Sequence, residues 1–195
     1  MTKNNIEELL KGIESNNAKE RDRYFFSLLE ISEQTPEQLY FAWDNLINIL
    51  RKEEVSNKYI AIHLIANLVR ADTKNKFEKI FNEYFELLSH ESPVVSPHVA
   101  GTAWKIILAK PHLKTEIVSI LLNCDKVNRC RHPELLKSYV IDSLDRCYEI
   151  LPEKEREHAV KFVSKQINSE SPKTRKTAKS FLNKRTGNYS QGERI

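Results

Sequence analysis

Apolar residues recur along this chain three and four positions apart in ten segments, and no stretch alternates as a strand would. Ile6, Leu9, Leu10 and Ile13 predict a helix over 6–14; Phe25, Leu28, Leu29 and Ser32 predict one over 18–32. Thr35-Pro36-Glu37-Gln38 reads as an N-cap, a proline at the first helical position and a capping-box glutamine. It opens a helix over 36–52 with Leu39, Trp43, Leu46, Ile47 and Leu50 inward. The next, over 56–71, is apolar on most sides, as a helix buried between neighbours must be. A fifth covers 74–89, and the sixth starts at Ser92-Pro93 or Ser96-Pro97 and ends before Pro111. Helices over 113–124, 134–151, 153–168 and 172–185 complete the set, with a polar loop at 125–132 and a frayed tail at 186–195.

The second helices of successive pairs share a register. Small or apolar anchors fall at Tyr24, Ala61, Gly101, Val140 and Ala178, which are 37, 40, 39 and 38 residues apart. Three residues before them stand Arg21, Lys58, His98, Lys137 and Arg175; four residues after come Leu28, Ile65, Lys105, Leu144 and Leu182. A period of about 40 residues with two helices per unit marks an α-solenoid, in which each pair buries a face on the next.

This pattern resembles the HEAT-repeat family over residues 6–185, though it lacks a regular proline in each first helix and the aspartate of the intra-repeat turn. The resemblance implies an all-α fold: a right-handed superhelix of about five HEAT-like or armadillo-like pairs, in one domain over 1–185. It also implies that second helices line a concave surface, in a family of mostly scaffolds and adaptors with some nucleic-acid binders and enzymes.

Composition narrows the setting. The chain has 195 residues, 40% hydrophobic and 30% charged, with only four glycines, which disfavours a fold rich in tight turns. No apolar run approaches the roughly 18 residues of a membrane span, and Met1–Asn5 carries no apolar leader core. Three cysteines are too few and too odd in number for a disulfide framework, so a cytoplasmic location is expected. From Lys154 onward 11 Lys or Arg face 4 Asp or Glu, whereas the preceding residues carry 20 against 23. The basic end is the one electrostatic hint of a partner.

Candidate chemistry is sparse. Cys124, Cys130, His132 and Cys147 could supply zinc ligands, but no C-x-x-C pair occurs, and Cys147 reads as core beside Leu144 and Leu151. His90-Glu91 resembles the His-Glu pairs of HEAT-fold iron hydroxylases, yet one pair cannot complete a coordination sphere. Trp43 reads as core. Trp104 follows the small residues Ala100, Gly101 and Ala103, which let another helix or a ligand come close. The last helix carries Lys173, Arg175, Lys176, Lys179, Lys184 and Arg185, either a soluble end cap or a phosphate-contacting patch.

Two and six residues past each anchor lie Phe26/Glu30, His63/Asn67, Ala103/Ile107, Asp142/Arg146 and Ser180/Lys184, a mixed polar ladder expected on the concave wall. These features predict a non-enzymatic protein-interaction module, with no catalytic residue, metal or cofactor and a partner whose identity the sequence does not carry. The alternative is nucleic-acid binding through Lys173, Arg175, Lys176 and Lys179, resembling the HEAT-like DNA glycosylases. The mixed sign of the ladder argues against it, and a membrane partner is not expected.

Overall fold

The computed structural model describes residues 3–127 and 129–187, and those residues form helices and connecting turns with no strand among them. The sequence reading counts residues 1–185 as one domain; by its contacts the chain groups into two compact units, Met1–Tyr84 and Phe85–Ile195.

The first unit holds α1 (Lys3–Gly12), α2 (Ala18–Gln34) and α3 (Pro36–Leu39), which passes through a 3-10 turn into α4 (Trp43–Leu50). Then come α5 (Val55–Leu68) and α6 (Lys76–Glu86), near whose end the division falls. α5 is buried along most of its circumference, as its apolar sequence requires. Trp43 is fully buried and its ring stands 5.7 Å from that of Tyr40. Where α1 meets α2, Gly12 lies against the Tyr24 ring: a Cβ there would come within 2.2 Å of it.

In the second unit are α7 (Val95–Ala109), α8 (Lys114–Leu122), α9 (Cys124–Val127), α10 (Pro133–Cys147), α11 (Glu153–Ser164) and α12 (Pro172–Thr186). α12 stops at Gly187, whose φ of 67° is the left-handed conformation that a glycine adopts at a helix end. Beyond residue 187 the expected tail lies outside the described residues.

Local signals were mostly kept, with three differences. Thr35 makes no side-chain cap; its hydroxyl turns back to the Ile31 carbonyl, so the helix after it opens on Pro36 alone. The sixth helix starts between its two candidate prolines, because the Ser92 hydroxyl accepts from the Val94 and Val95 amides. Part of the loop expected at 125–132 is the short helix α9, tied by Asp125 to Lys137 at 3.3 Å.

Three of the five residues that stand three before the anchors have a common task. Arg21 Nη1 donates to the Ser15 carbonyl at 3.2 Å, and Lys58 Nζ to the Leu50 carbonyl, also at 3.2 Å. Arg175 Nη1 donates to the carbonyls of Ser169 and Glu170 at 2.7 and 3.0 Å. Each reaches back over the turn that enters its helix and takes up carbonyls with no helical partner. Lys137 differs, meeting the carboxylates of Glu134 at 2.6 Å and Asp125 at 3.3 Å. Burial works against its charge, but the two carboxylates outweigh burial and hold its pKa above the usual lysine value.

Within each unit, second helices are joined by polar contacts 35 to 43 residues apart in sequence. In the first unit Asn67 Nδ2 donates to Ser32 Oγ at 2.8 Å and Arg70 to the Glu33 carbonyl at 2.9 Å, linking α5 and its 3-10 end to α2. In the second, Ser143 Oγ donates to the Ala100 carbonyl at 2.6 Å and accepts from the Trp104 amide at 3.1 Å. Those two groups are the ends of one i to i−4 rung, so the buried hydroxyl of α10 enters the hydrogen-bond ladder of α7. Gly101 beside this rung admits the Tyr139 ring, which a Cβ would meet at 2.9 Å. Thr174 of α12 donates to the Glu134 carbonyl of α10 in the same manner.

Two substitutions test this packing. Lys58, only 8% exposed, should cost about 1–3 kcal/mol as Lys58→Met, since the Leu50 carbonyl loses a charged donor. Gly12→Ala should cost a similar amount, roughly 1–3 kcal/mol, by forcing the Tyr24 ring off α1. Urea unfolding followed by circular dichroism measures both, and a loss below about 0.5 kcal/mol in either would remove that contact from the account.

Candidate functional site

The expected ladder divides into buried and exposed members. In the first unit Phe26 is 62% exposed and Glu30 is exposed with it, both on α2. On α5, His63 is half-buried with its ring 4.8 Å from that of Tyr59. Asn67 is 7% exposed and its amide is engaged by Ser32, so it belongs to the α2–α5 joint and not to an open surface. In the second unit Ala103 and Ile107 are fully buried, because α7 is covered on most sides.

Leu108 of α7 is 46% exposed, and Trp104 one turn before it is half-buried. The Trp104 ring has the Arg146 guanidinium 5.1 Å from its centre and the Lys105 ammonium at 5.7 Å. Arg146 is oriented by Asp142, whose carboxylate accepts from its Nε at 2.8 Å. The Ser143 hydroxyl holds the Trp104 backbone from below, so the indole and the guanidinium are positioned by one residue of α10 and its neighbours. A half-buried Trp under an exposed Arg forms a cation–π platform.

The basic helix is less open than its sequence implies. Arg175 is committed to the turn before α12; Lys184 and Arg185 both pair with Asp145 of α10, and Arg185 also meets Glu149. Lys173 Nζ sits 3.9 Å over the Tyr139 ring, which stands 5.4 Å from that of His98. Burial, and then the Lys173 charge, hold the His98 pKa below the ordinary histidine value. Lys176 and Lys179 are exposed. The helix is chiefly a cap fastened to α10.

A second surface, absent from the sequence reading, is a groove of about 420 Å³ between α8 and α11. One wall is a row of exposed cationic and imidazole side chains along and just past α11, namely Lys154, His158, Lys161 and Lys165. Thr115, Ser119 and Asn123 form the facing wall on and just past α8, and Val118, Leu122 and Phe162 the apolar floor. Glu155 is the acid in the lining. The 4, 3, 4 spacing of the basic row was legible in the sequence, but charge counted over the whole C-terminal stretch conceals it.

Among the described residues no group of three or more His, Cys, Asp or Glu side chains could hold a metal. The three cysteines are buried, and none of them is in a disulfide. Burial first, then Asp125, pushes the Cys124 thiol up to about 12; burial likewise pushes Cys147 up to about 12. Cys147 Sγ donates to the Ser143 carbonyl at 3.1 Å, the core role expected for it. No helix among the described residues is long and apolar enough to cross a membrane.

No protein-family model matches this chain, nor does any curated protein or solved structure.

The thiol environments carry a prediction. At pH 8 Cys124 and Cys147 should resist a disulfide reagent in the folded protein and react fully in guanidinium, because thiolate is the reactive form and burial disfavours it. Mass-spectrometric mapping of the modified thiols reads this out; rapid native labelling of either residue would contradict the burial described above.

Proposed function

We propose that this chain is a non-enzymatic protein-interaction module, a scaffold or adaptor built of HEAT-like helix pairs as about five repeats of an α-solenoid. The repeat reading is supported by the recurring backward clamps and by the contacts 35 to 43 residues apart within each unit. The interaction reading rests on one observation above others: Trp104 and Arg146, held together and to their helices, remain accessible. Trp and Arg are the residue types that dominate binding energy at protein interfaces, and a preorganised pair loses little freedom on docking. Three cysteines outside any disulfide support a reducing, cytoplasmic setting.

Nucleic-acid binding is the weaker reading. It needs a run of cations free to meet phosphates, and Arg175, Lys184 and Arg185 are engaged within the second unit. A short duplex should therefore bind the protein weakly, and Lys173→Ala/Lys176→Ala/Lys179→Ala should abolish what binding there is. Tight binding that persists at high salt, or that survives the triple substitution, would return nucleic acid to first place.

Affinity capture from native extract, comparing the protein with Arg146→Glu, tests the interaction reading. Arg146 is 51% exposed at its side chain, so the variant should fold normally and lose a partner that uses the platform by about tenfold or more. Equal capture by both proteins would sink the platform, and turnover of a metabolite without a partner would sink the module reading altogether.

A further inference from the structure

We infer that the groove between α8 and α11 is a docking site for an acidic amphipathic helix of a partner protein. It is a different surface from the Trp104–Arg146 platform and lies on different helices of the second unit.

Charge points to the occupant's acidity. Among the described residues Lys154, Lys161 and Lys165 form no ion pair, in contrast to Lys184 and Arg185 of α12, which are neutralised by Asp145 and Glu149. Three ammonium groups outside any ion pair on one helix face, with Glu155 the acid of the groove lining and Glu157 a neighbour along α11, hold a positive potential that further carboxylates would relieve.

Spacing points to a helix. Residues 154, 158, 161 and 165 follow one face at alternating steps of four and three, over roughly 16 Å at 1.5 Å per residue. A helix laid alongside presents its own side chains at the same steps, so Glu or Asp at i, i+4, i+7 and i+11 would meet the row throughout its length. The floor makes the second demand. Val118 and Phe162 are already buried, so the floor offers chiefly the half-buried Leu122, which an adjoining apolar residue on the incoming helix would cover. Along the far wall the Thr115 and Ser119 hydroxyls and the Asn123 side chain can serve the polar edge of that helix.

The same lining disfavours nucleic acid. Single strands are held by successive exposed aromatic faces on which bases stack; here Phe162 is only 9% exposed, which leaves the one imidazole of His158 in the lining.

A fluorescein-labelled 15-residue helical peptide is the probe, with Glu at i, i+4, i+7 and i+11 and Leu along the adjacent stripe. Its companions are the same peptide with every Glu replaced by Gln, and a 15-nucleotide oligothymidine. Fluorescence anisotropy on the full chain at physiological salt should show the acidic peptide binding about tenfold or more tighter than the Gln peptide, and tighter than the oligonucleotide. Lys161→Glu/Lys165→Glu, both at exposed positions, should weaken it by about tenfold or more with the circular-dichroism spectrum unchanged. Lys176→Glu on α12 and Arg146→Glu on the platform should leave it unaltered, which separates failure here from failure of the platform. Equal binding of the Gln peptide, stronger binding of the oligonucleotide, or equal weakening by Lys176→Glu would each overturn the proposal.

Discussion

A cation folded back over the turn that precedes its own helix is the contact on which this architecture depends. A helix pair joined by a short turn leaves carbonyls at the end of its first helix with no partner, and burying them unpaired is costly. Lys58 takes up the last carbonyl of α4, and Arg21 and Arg175 take up those of the turns before α2 and α12. A long flexible side chain can reach five to eight residues back, which a backbone amide in a continuing helix cannot. The clamp closes the turn between the two helices of a pair. At the Lys137 position the charge meets carboxylates and no carbonyl, and it ties Glu134 to α9.

Stacking then uses a second device, the small hydroxyl or amide at a buried helix contact. Ser143 entering the α7 ladder, Asn67 on Ser32, and Thr174 on the Glu134 carbonyl each place a polar group where apolar packing alone would allow two helices to slide. Hydrophobic burial supplies the bulk of the association but is non-directional; these bonds set the register. Gly101 belongs to this device, since a side chain there would keep the Tyr139 ring away from α7.

The all-helical class and the helix segments were legible because a 3.6-residue period is local information. Burial of α5 followed from its continuous apolar character, and the core role of Trp43 from its neighbours Leu39 and Leu46. The basic residues before the anchors were visible as a row, though their backward reach was not, since a carbonyl partner leaves no trace in side-chain identity. Asn67, Ala103 and Ile107 were misjudged for a related reason: the ladder assumed one rotation for every second helix, and α7 is covered on most sides. Thr35 carried the letters of a capping box without the bond, because the hydroxyl found the Ile31 carbonyl first. Pairing across about 40 residues is the information that a single strand of letters holds least openly. It decides the fate of Lys184 and Arg185.

That distinction also separates the two basic faces of the C-terminal stretch. Six cations on α12 look more like a binding site than three lysines and a histidine on and beside α11. Asp145 of α10 and Glu149 in the turn just past it reverse the ranking, because a cation already held by a carboxylate must lose that partner before it can meet another. Surface charge becomes recognition only where the fold has left it uncompensated and placed it beside apolar area that also gains from being covered. On α12 the charge holds the terminal helix to the unit, and its apolar residues Ala178, Phe181 and Leu182 are already buried. The α8–α11 groove leaves its lysines unpaired and sets them beside Leu122, which is only half-buried over the buried Val118 and Phe162.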